Sequence, residues 1–256
     1  MQRFEIQQFM PEKSQKNRVW LLIGGRNTGK SVLLKDLLHK TQRDTDFAMA
    51  MTATISSAKM FKSIMPPDFV YTEGYDFNKG DKFLEATSSL SELGKIRNAT
   101  LCLDDVMFNS KVMKCTTQSN LHLNGRHYNT SIFSTTQYAM LIPTSIRSNV
   151  DYVFAMKETI RANRKRLWEH YFGCFSTFAD FDRVFTECTR DHGALVLDRT
   201  QSSGKLEDLV KYYKASLDVP KFRIGRSVFH KAGPALREIL ESRKKRTKPT
   251  TVKNIE

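Results

Sequence analysis

Paired cysteines are missing from this sequence. Its four cysteines (Cys102, Cys115, Cys174, Cys188) form no Cys-x-x-Cys pair, and none of the six histidines completes a zinc pattern with them. This argues against a disulfide scaffold or a zinc module and predicts reduced thiols in a cytosolic or nuclear compartment. An apolar signal core is missing too: the chain starts Met-Gln-Arg-Phe-Glu-Ile-Gln-Gln, which predicts no secretory leader. No later segment is apolar for long enough to span a bilayer, and no internal repeat is visible. Acidic residues are scarce relative to basic ones, 27 against 41, a formal net charge of +14. Residues 237–256 hold seven basic and three acidic side chains, so ten of the fourteen excess charges are spread over the body. That spread suits a polyanionic partner such as nucleic acid. A chain of 256 residues is enough for one large α/β domain, or a domain with an appendage.

One stretch carries the clearest chemistry: Gly24-Gly25-Arg26-Asn27-Thr28-Gly29-Lys30-Ser31, a Gly-x-x-x-x-Gly-Lys-Ser phosphate-binding loop. Val19 to Ile23 before it is an apolar run of strand length, and Val32 to Leu38 after it has apolar residues at helical spacing. Glycines at 24, 25 and 29 predict backbone conformations closed to residues with a Cβ, so that successive N–H groups wrap a phosphate. A helix starting near Gly29 adds the positive end of its dipole. Lys30 is placed to reach the β- and γ-phosphates of ATP, and the Ser31 hydroxyl to ligate Mg²⁺. The second anchor is Thr100-Leu101-Cys102-Leu103-Asp104-Asp105, an apolar strand ending in acid about 75 residues further on. Asp104 is the candidate holder of Mg²⁺, usually through a water, and Asp105 the candidate to orient or deprotonate the attacking water. Gln137, at the tip of the strand 131–136, is placed to sense the γ-phosphate or hold that water.

Between these anchors, 47–51 and 69–71 read as short strands and 78–95 as a helix with Phe83, Leu84, Leu90 and Leu93 on its buried side. Residues 106–128 read as helical, interrupted around Asn109-Ser110, and 142–149 as a turn with a short helix before the strand 152–156. This alternation predicts a mainly parallel, right-handed α/β sheet. Arg161 to Arg166 holds four basic residues in six and leads into a helix through Trp168 and Tyr171. The aromatic stripe Phe172, Phe175, Phe178, Phe181 and Phe185 predicts core packing rather than base stacking. Residues 194–198 read as a final strand, and 206–217 as a helix. The expected organisation is a lead-in over 1–17, an ATPase domain over 18–218 and a basic extension over 219–256. In that extension 234–240 reads as amphipathic, and 243–249, with five basic residues in seven, as disordered.

Taken in chain order, these motifs resemble the genome-packaging ATPases of nucleocytoplasmic large DNA viruses, a branch of the FtsK–HerA superfamily of P-loop NTPases. The matching segments are 24–31, Leu-Cys-Leu-Asp-Asp-Val at 101–106, Gly-Arg-His-Tyr-Asn-Thr-Ser-Ile at 125–132, Ser-Thr-Thr-Gln at 134–137 and Ile-Arg-Ser-Asn-Val-Asp-Tyr-Val-Phe at 146–154. The resemblance covers roughly 15–200. It implies a RecA/FtsK-like sheet flanked by helices, with ATP and Mg²⁺ at the loop. It also implies a homo-oligomeric ring that drives double-stranded DNA, without sequence preference, into a preformed capsid at its portal vertex. The resemblance implies work of that kind in host cytoplasm or nucleus at sites of virion assembly, or in the virion itself. In such a ring one subunit supplies an arginine to its neighbour's site, and two matched positions qualify, Arg126, the favoured one, and Arg147. Many members of the superfamily carry Glu where this chain has Asp105; Asp is shorter by a methylene, which implies either that the water is reached through an intermediary or that Asp104 and Asp105 share the work. On sequence alone two other readings stay open: a nucleotide-gated assembly switch with slow turnover, and a small-molecule P-loop kinase.

Overall fold

The computed structural model describes residues 6–42, 44–106 and 110–232. Their strands are β1 (Gln7–Gln8), β2 (Val19–Ile23), β3 (Phe47–Thr52), β4 (Val70–Tyr71), β5 (Ala99–Asp104), β6 (Thr130–Thr136), β7 (Tyr152–Met156), β8 (Gly193–Asp198) and β9 (Val210–Lys214). They form one sheet in the order β1-β9-β8-β7-β2-β6-β5-β3-β4. From β7 to β4 all neighbours are parallel, as the alternation of strands and helices requires.

Side chains alternate between the two faces of the sheet. On β2, Leu21 and Ile23 enter one core while Trp20 and Leu22 enter the other. The Trp20 face is covered by α1 (Lys30–Thr41), through Leu33, Leu34, Leu37 and Leu38, and by α2 (Ile55–Ile64), through Phe61 and Ile64. The opposite face is covered by α3 (Phe77–Glu92), α4 (Ser110–Lys114), α5 (Thr116–Asn124), α6 (Thr144–Arg147), α7 (Arg161–His170) and α8 (Phe178–Cys188). Phe172, Phe175, Phe181 and Phe185 are buried there, so the aromatic stripe is core, as its spacing predicts. No helix among the described residues is long and apolar enough to cross a membrane.

Two expectations are corrected, the burial of Leu93 and the helix over 206–217, and two features lie beyond the sequence reading, α2 and the direction of β8. Leu93 is 64% exposed, because α3 ends at Glu92 and Leu93 belongs to the turn that Gly94 closes. Helix α2 was not anticipated, although Ala58, Phe61 and Ile64 mark a buried face at three-residue spacing. Strand β8 runs antiparallel to β7: α7 and α8 form a helical pair that returns the chain to the edge it left, where a single crossover helix would have produced another parallel strand. Residues 206–217 are not a helix. One turn, Leu206–Leu209, gives way to β9, which pairs with β8 and satisfies its backbone edge.

Strand β9 also holds the loop-bearing helix in place. Tyr213 donates a hydrogen bond to Asp36 Oδ2 at 2.5 Å, and Lys40 Nζ donates to the Tyr213 hydroxyl at 3.0 Å. Burial and the adjacent Asp36 push the Tyr213 phenol well above its usual range, so it stays a donor. The lead-in contributes to the same face: Phe9 is buried with its ring edge-on to Trp20, Phe154 and Tyr213. Beyond β9, Ile224 is fully buried and donates its N–H to Ile64 O at 2.7 Å, while Arg226 pairs with Asp46 at 2.7 Å. The expected amphipathic segment 234–240 and basic run 243–249 lie outside the described residues. The expected break at Asn109-Ser110 is half outside them too, and within them the helix is interrupted at Cys115, which caps α5.

Candidate functional site

Parallel pairing brings the ends of β2, β5 and β6 to one edge, with Ile23 beside Thr136 and Asp104 beside Thr135. The loop 24–29, the acidic pair and Gln137 therefore converge at the carboxyl ends of the strands, where α/β sheets open a crevice.

The loop's backbone differs in detail from the expectation. Gly29, just before α1, is left-handed (φ 97°), and so is Asn27 (φ 61°). Gly24 is required by space, since a Cβ there would sit 2.6 Å from Thr28 Oγ1 and 2.9 Å from Met156 Cβ. Gly25 is neither left-handed nor crowded, so the third glycine is not needed for the fold of the loop. Thr28 Oγ1 donates to Gly25 O at 2.9 Å and braces the loop from within. Arg26 and Asn27 are exposed at its crown, and Ser31 is exposed on the first turn of α1.

Lys30 is buried and reaches back across the loop, donating to Gly24 O at 2.6 Å. Its Nζ lies 3.8 Å from Asp105 Oδ1. Burial lowers the Lys30 pKa, and the charges of Asp105 and Asp104 oppose that shift. Asp104 is buried at the end of β5, where its Oδ1 accepts from Thr135 Oγ1 at 2.8 Å and its Oδ2 from Thr52 Oγ1 at 3.1 Å. Asp105 turns out of the strand in the left-handed region (φ 50°), a conformation open to Asp and Asn but rare for other side chains. Its N–H donates to Thr135 Oγ1 at 3.0 Å, and its Oδ2 accepts from Gln137 Nε2 at 3.4 Å. Lys30, Asp105 and Gln137 thus form one connected set. Thr52 and Thr135 were missed in the sequence; the signals available were a hydroxyl ending the otherwise apolar strand β3 and a run of hydroxyls along the fully buried β6.

Arg126 is not brought to this crevice in the same chain. Arg126 lies just before β6 and lines a polar pocket of about 160 Å³ with Val19, His122, Asp151 and Arg199, at the amino ends of β2, β6 and β7. The length of β6, roughly 20 Å, separates that end from the loop. Within the pocket, burial pushes the His122 imidazole down to about 4, so it is neutral beside the arginines. Arg147, on α6, places its guanidinium over the Tyr171 ring at 5.7 Å, and its carbonyl accepts from Arg199 at 2.9 Å. Of the basic run on α7, Arg164 pairs with Asp182 at 2.5 Å and Lys165 with Glu169 at 3.8 Å. Arg166 instead lines a small apolar pocket with Gly24, Gln137 and Met156.

Solved structures share this fold. The genome packaging NTPase B204 of Sulfolobus turreted icosahedral virus 2, in complex with ATP-gammaS, superposes with a TM-score of 0.58 at 14% identity, over 80% of this chain and all of that one. ATPases 2 and 3 of EssC from Geobacillus thermodenitrificans reach 0.51 at 11% identity, over 94% of this chain and 47% of that one. Among curated relatives, protein 088R of invertebrate iridescent virus 3 is 31% identical over 207 residues, 80% of this chain and 79% of its own length. Protein L437 of Acanthamoeba polyphaga mimivirus is 26% identical over 225 residues, 83% and 78% of the two chains. The family described as Poxvirus A32 protein matches residues 3–164, and the chain belongs to that family.

Proposed function

We propose that this protein is the ATPase of a motor that packages viral double-stranded DNA into a preformed capsid. The observation that carries the reading is the connected set Lys30, Asp105 and Gln137 beside a phosphate-binding loop, in a chain of this family whose fold is that of a genome packaging NTPase.

The chemistry assigned to each residue follows from its position. Backbone N–H groups of the loop 24–31 wrap the ATP phosphates, aided by the positive end of α1. Lys30 leaves the Gly24 carbonyl for the β- and γ-phosphates. Asp104, held by two hydroxyls, and the exposed Ser31 hydroxyl suit a hard divalent cation. Held by these two residues, Mg²⁺ would supply positive charge to offset the negative charge of the phosphates. Asp105 accepts a proton from water as the water oxygen attacks the γ-phosphorus. The bond to the β–γ bridging oxygen breaks, leaving ADP and inorganic phosphate. Gln137, already bonded to Asp105, orients the carboxylate and the water. Arg126, or Arg147, acts across a subunit boundary in a homo-oligomeric ring; the place of Arg126 at the opposite ends of the strands from the loop supports a role outside its own chain's crevice. The excess of positive charge supports a sequence-independent grip on DNA phosphates, with Arg161 and Arg166 the members of the α7 run not paired with a carboxylate among the described residues. The capsid, at its portal vertex, is the docking partner in this reading, and the place of action is the host cell, in cytoplasm or nucleus, at sites of virion assembly.

The test is ATP turnover with and without duplex DNA, on protein whose oligomeric state has been measured by light scattering. Duplex DNA is expected to raise the rate several-fold in the assembled form. A rate indifferent to DNA, with phosphate passed to a small acceptor, would favour a kinase instead.

A further inference from the structure

Strand β8 begins beside the phosphate-binding loop, and the turn that starts it is built under unusual constraint. Asp191 (φ 48°, ψ 48°) and His192 (φ 62°) are both left-handed, two non-glycine residues in succession in a region that L-amino acids avoid. Gly193 follows, where a Cβ would collide with the carbonyl oxygen of Cys188. The turn is therefore fixed between the end of α8 and the first residue of β8. Backbone of this kind persists where the surroundings hold it, and it clusters at functional sites. The constraint has one visible product. His192 is exposed, and its ring lies against the loop, with Nδ1 3.3 Å from Thr28 O and 3.5 Å from the point where a Cβ on Gly29 would be.

We propose that His192 is a positioning residue for the phosphate-binding loop, acting through the Thr28–Gly29 peptide; this rests on the nucleotide-binding reading above. A carbonyl can only accept, so the ring must carry a proton on Nδ1 to make the contact. The peptide bond is trans, like every other described here, and in a trans peptide the C=O and the following N–H point in opposite directions. Holding Thr28 O outward, toward β8, turns the Gly29 N–H inward, toward the space the loop encloses. Thr28 Oγ1 does the same one turn earlier, holding Gly25 O and so directing the Arg26 N–H. His192 thus acts from 164 residues away on a group that receives phosphate. An amide donor inside a phosphate cradle contributes to ATP and ADP alike. Its loss weakens binding of both and leaves the cleavage step largely intact.

The experiment measures affinity for ADP and for ATP, together with KM and kcat, in the wild type, His192→Asn and His192→Gly. Asparagine places an amide donor close to the position of Nδ1 and tolerates the left-handed backbone; glycine relieves the backbone and removes the donor. His192→Gly is expected to bind both nucleotides about five- to tenfold more weakly, the range of one hydrogen bond, with KM raised and kcat within about twofold. His192→Asn is expected to stay within about threefold of wild type. If His192→Gly binds as well as wild type, or His192→Asn is as weak as His192→Gly, the donor has no such role. If the wild type itself binds neither nucleotide, the nucleotide-binding reading fails and this inference with it. That result is distinct from a binding wild type with an unaffected glycine variant.

Discussion

Lys30→Ala is expected to lower ATP turnover by at least about a hundredfold, the cost of removing one preorganised charge donor from a phosphoryl-transfer site. The position of Lys30 accounts for the size of the effect. Lys30 is 8% exposed and extends from the first turn of α1 to the Gly24 carbonyl, so its ammonium is already inside the space the loop surrounds. Burial disfavours its charge while Asp105 and Asp104 retain it, so the cation is held where the β- and γ-phosphates must lie. Truncation removes the cation and leaves two carboxylates facing the incoming polyanion, so ATP affinity should fall together with the rate. Phosphate release and nucleotide titration measure the two effects separately. Turnover at the wild-type rate in this variant would place the chemistry elsewhere in the molecule.

The second large effect is expected at Asp105. Asp105→Asn should reduce kcat by about 10²–10⁴, the range for a general base, while ATP still binds. Asparagine accepts the left-handed backbone at this position, and its side-chain oxygen can still accept from Gln137 Nε2. The substitution therefore removes charge and basicity with little change of shape. Substitution at Asp104 would be less informative, because that carboxylate holds the Thr52 and Thr135 hydroxyls in a buried site. Single-turnover rates with pre-bound ATP separate loss of chemistry from loss of binding. If wild type, Asp105→Asn and Lys30→Ala were equally slow, the protein would be a nucleotide-gated switch and not a motor.

What could be read from the sequence is local. The phosphate-binding loop and Asp104-Asp105 each lie at the end of a short apolar run, Gln137 follows a hydroxyl-rich one, Thr130–Thr136, and each of these runs is a strand in the sheet. What could not be read depends on register between distant segments. Thr52 reaches Asp104 because β3 pairs with β5, Thr135 because β5 pairs with β6, and His192 reaches Thr28 because β8 enters the sheet reversed. No periodicity in any one segment encodes those neighbours. Residues 210–214 were misread for a related reason: an apolar pattern followed a genuine helical turn, and only the unsatisfied edge of β8 decides that the chain continues as a strand. The loop glycines show the same limit in miniature. Residue type alone makes Gly25 equivalent to Gly24 and Gly29, yet of the three only Gly24 would have a Cβ within 3 Å of its neighbours and only Gly29 is left-handed.

The central claim is that ATP cleavage at the Lys30 loop is coupled to movement along duplex DNA. It is tested most directly by ATP-driven displacement of a third strand from a triplex placed at the end of a long duplex. The expected result is displacement that requires ATP and Mg²⁺, increases with the length of duplex available for loading, and is lost in Lys30→Ala. Brisk ATP hydrolysis by assembled wild-type protein with the third strand left in place would contradict it.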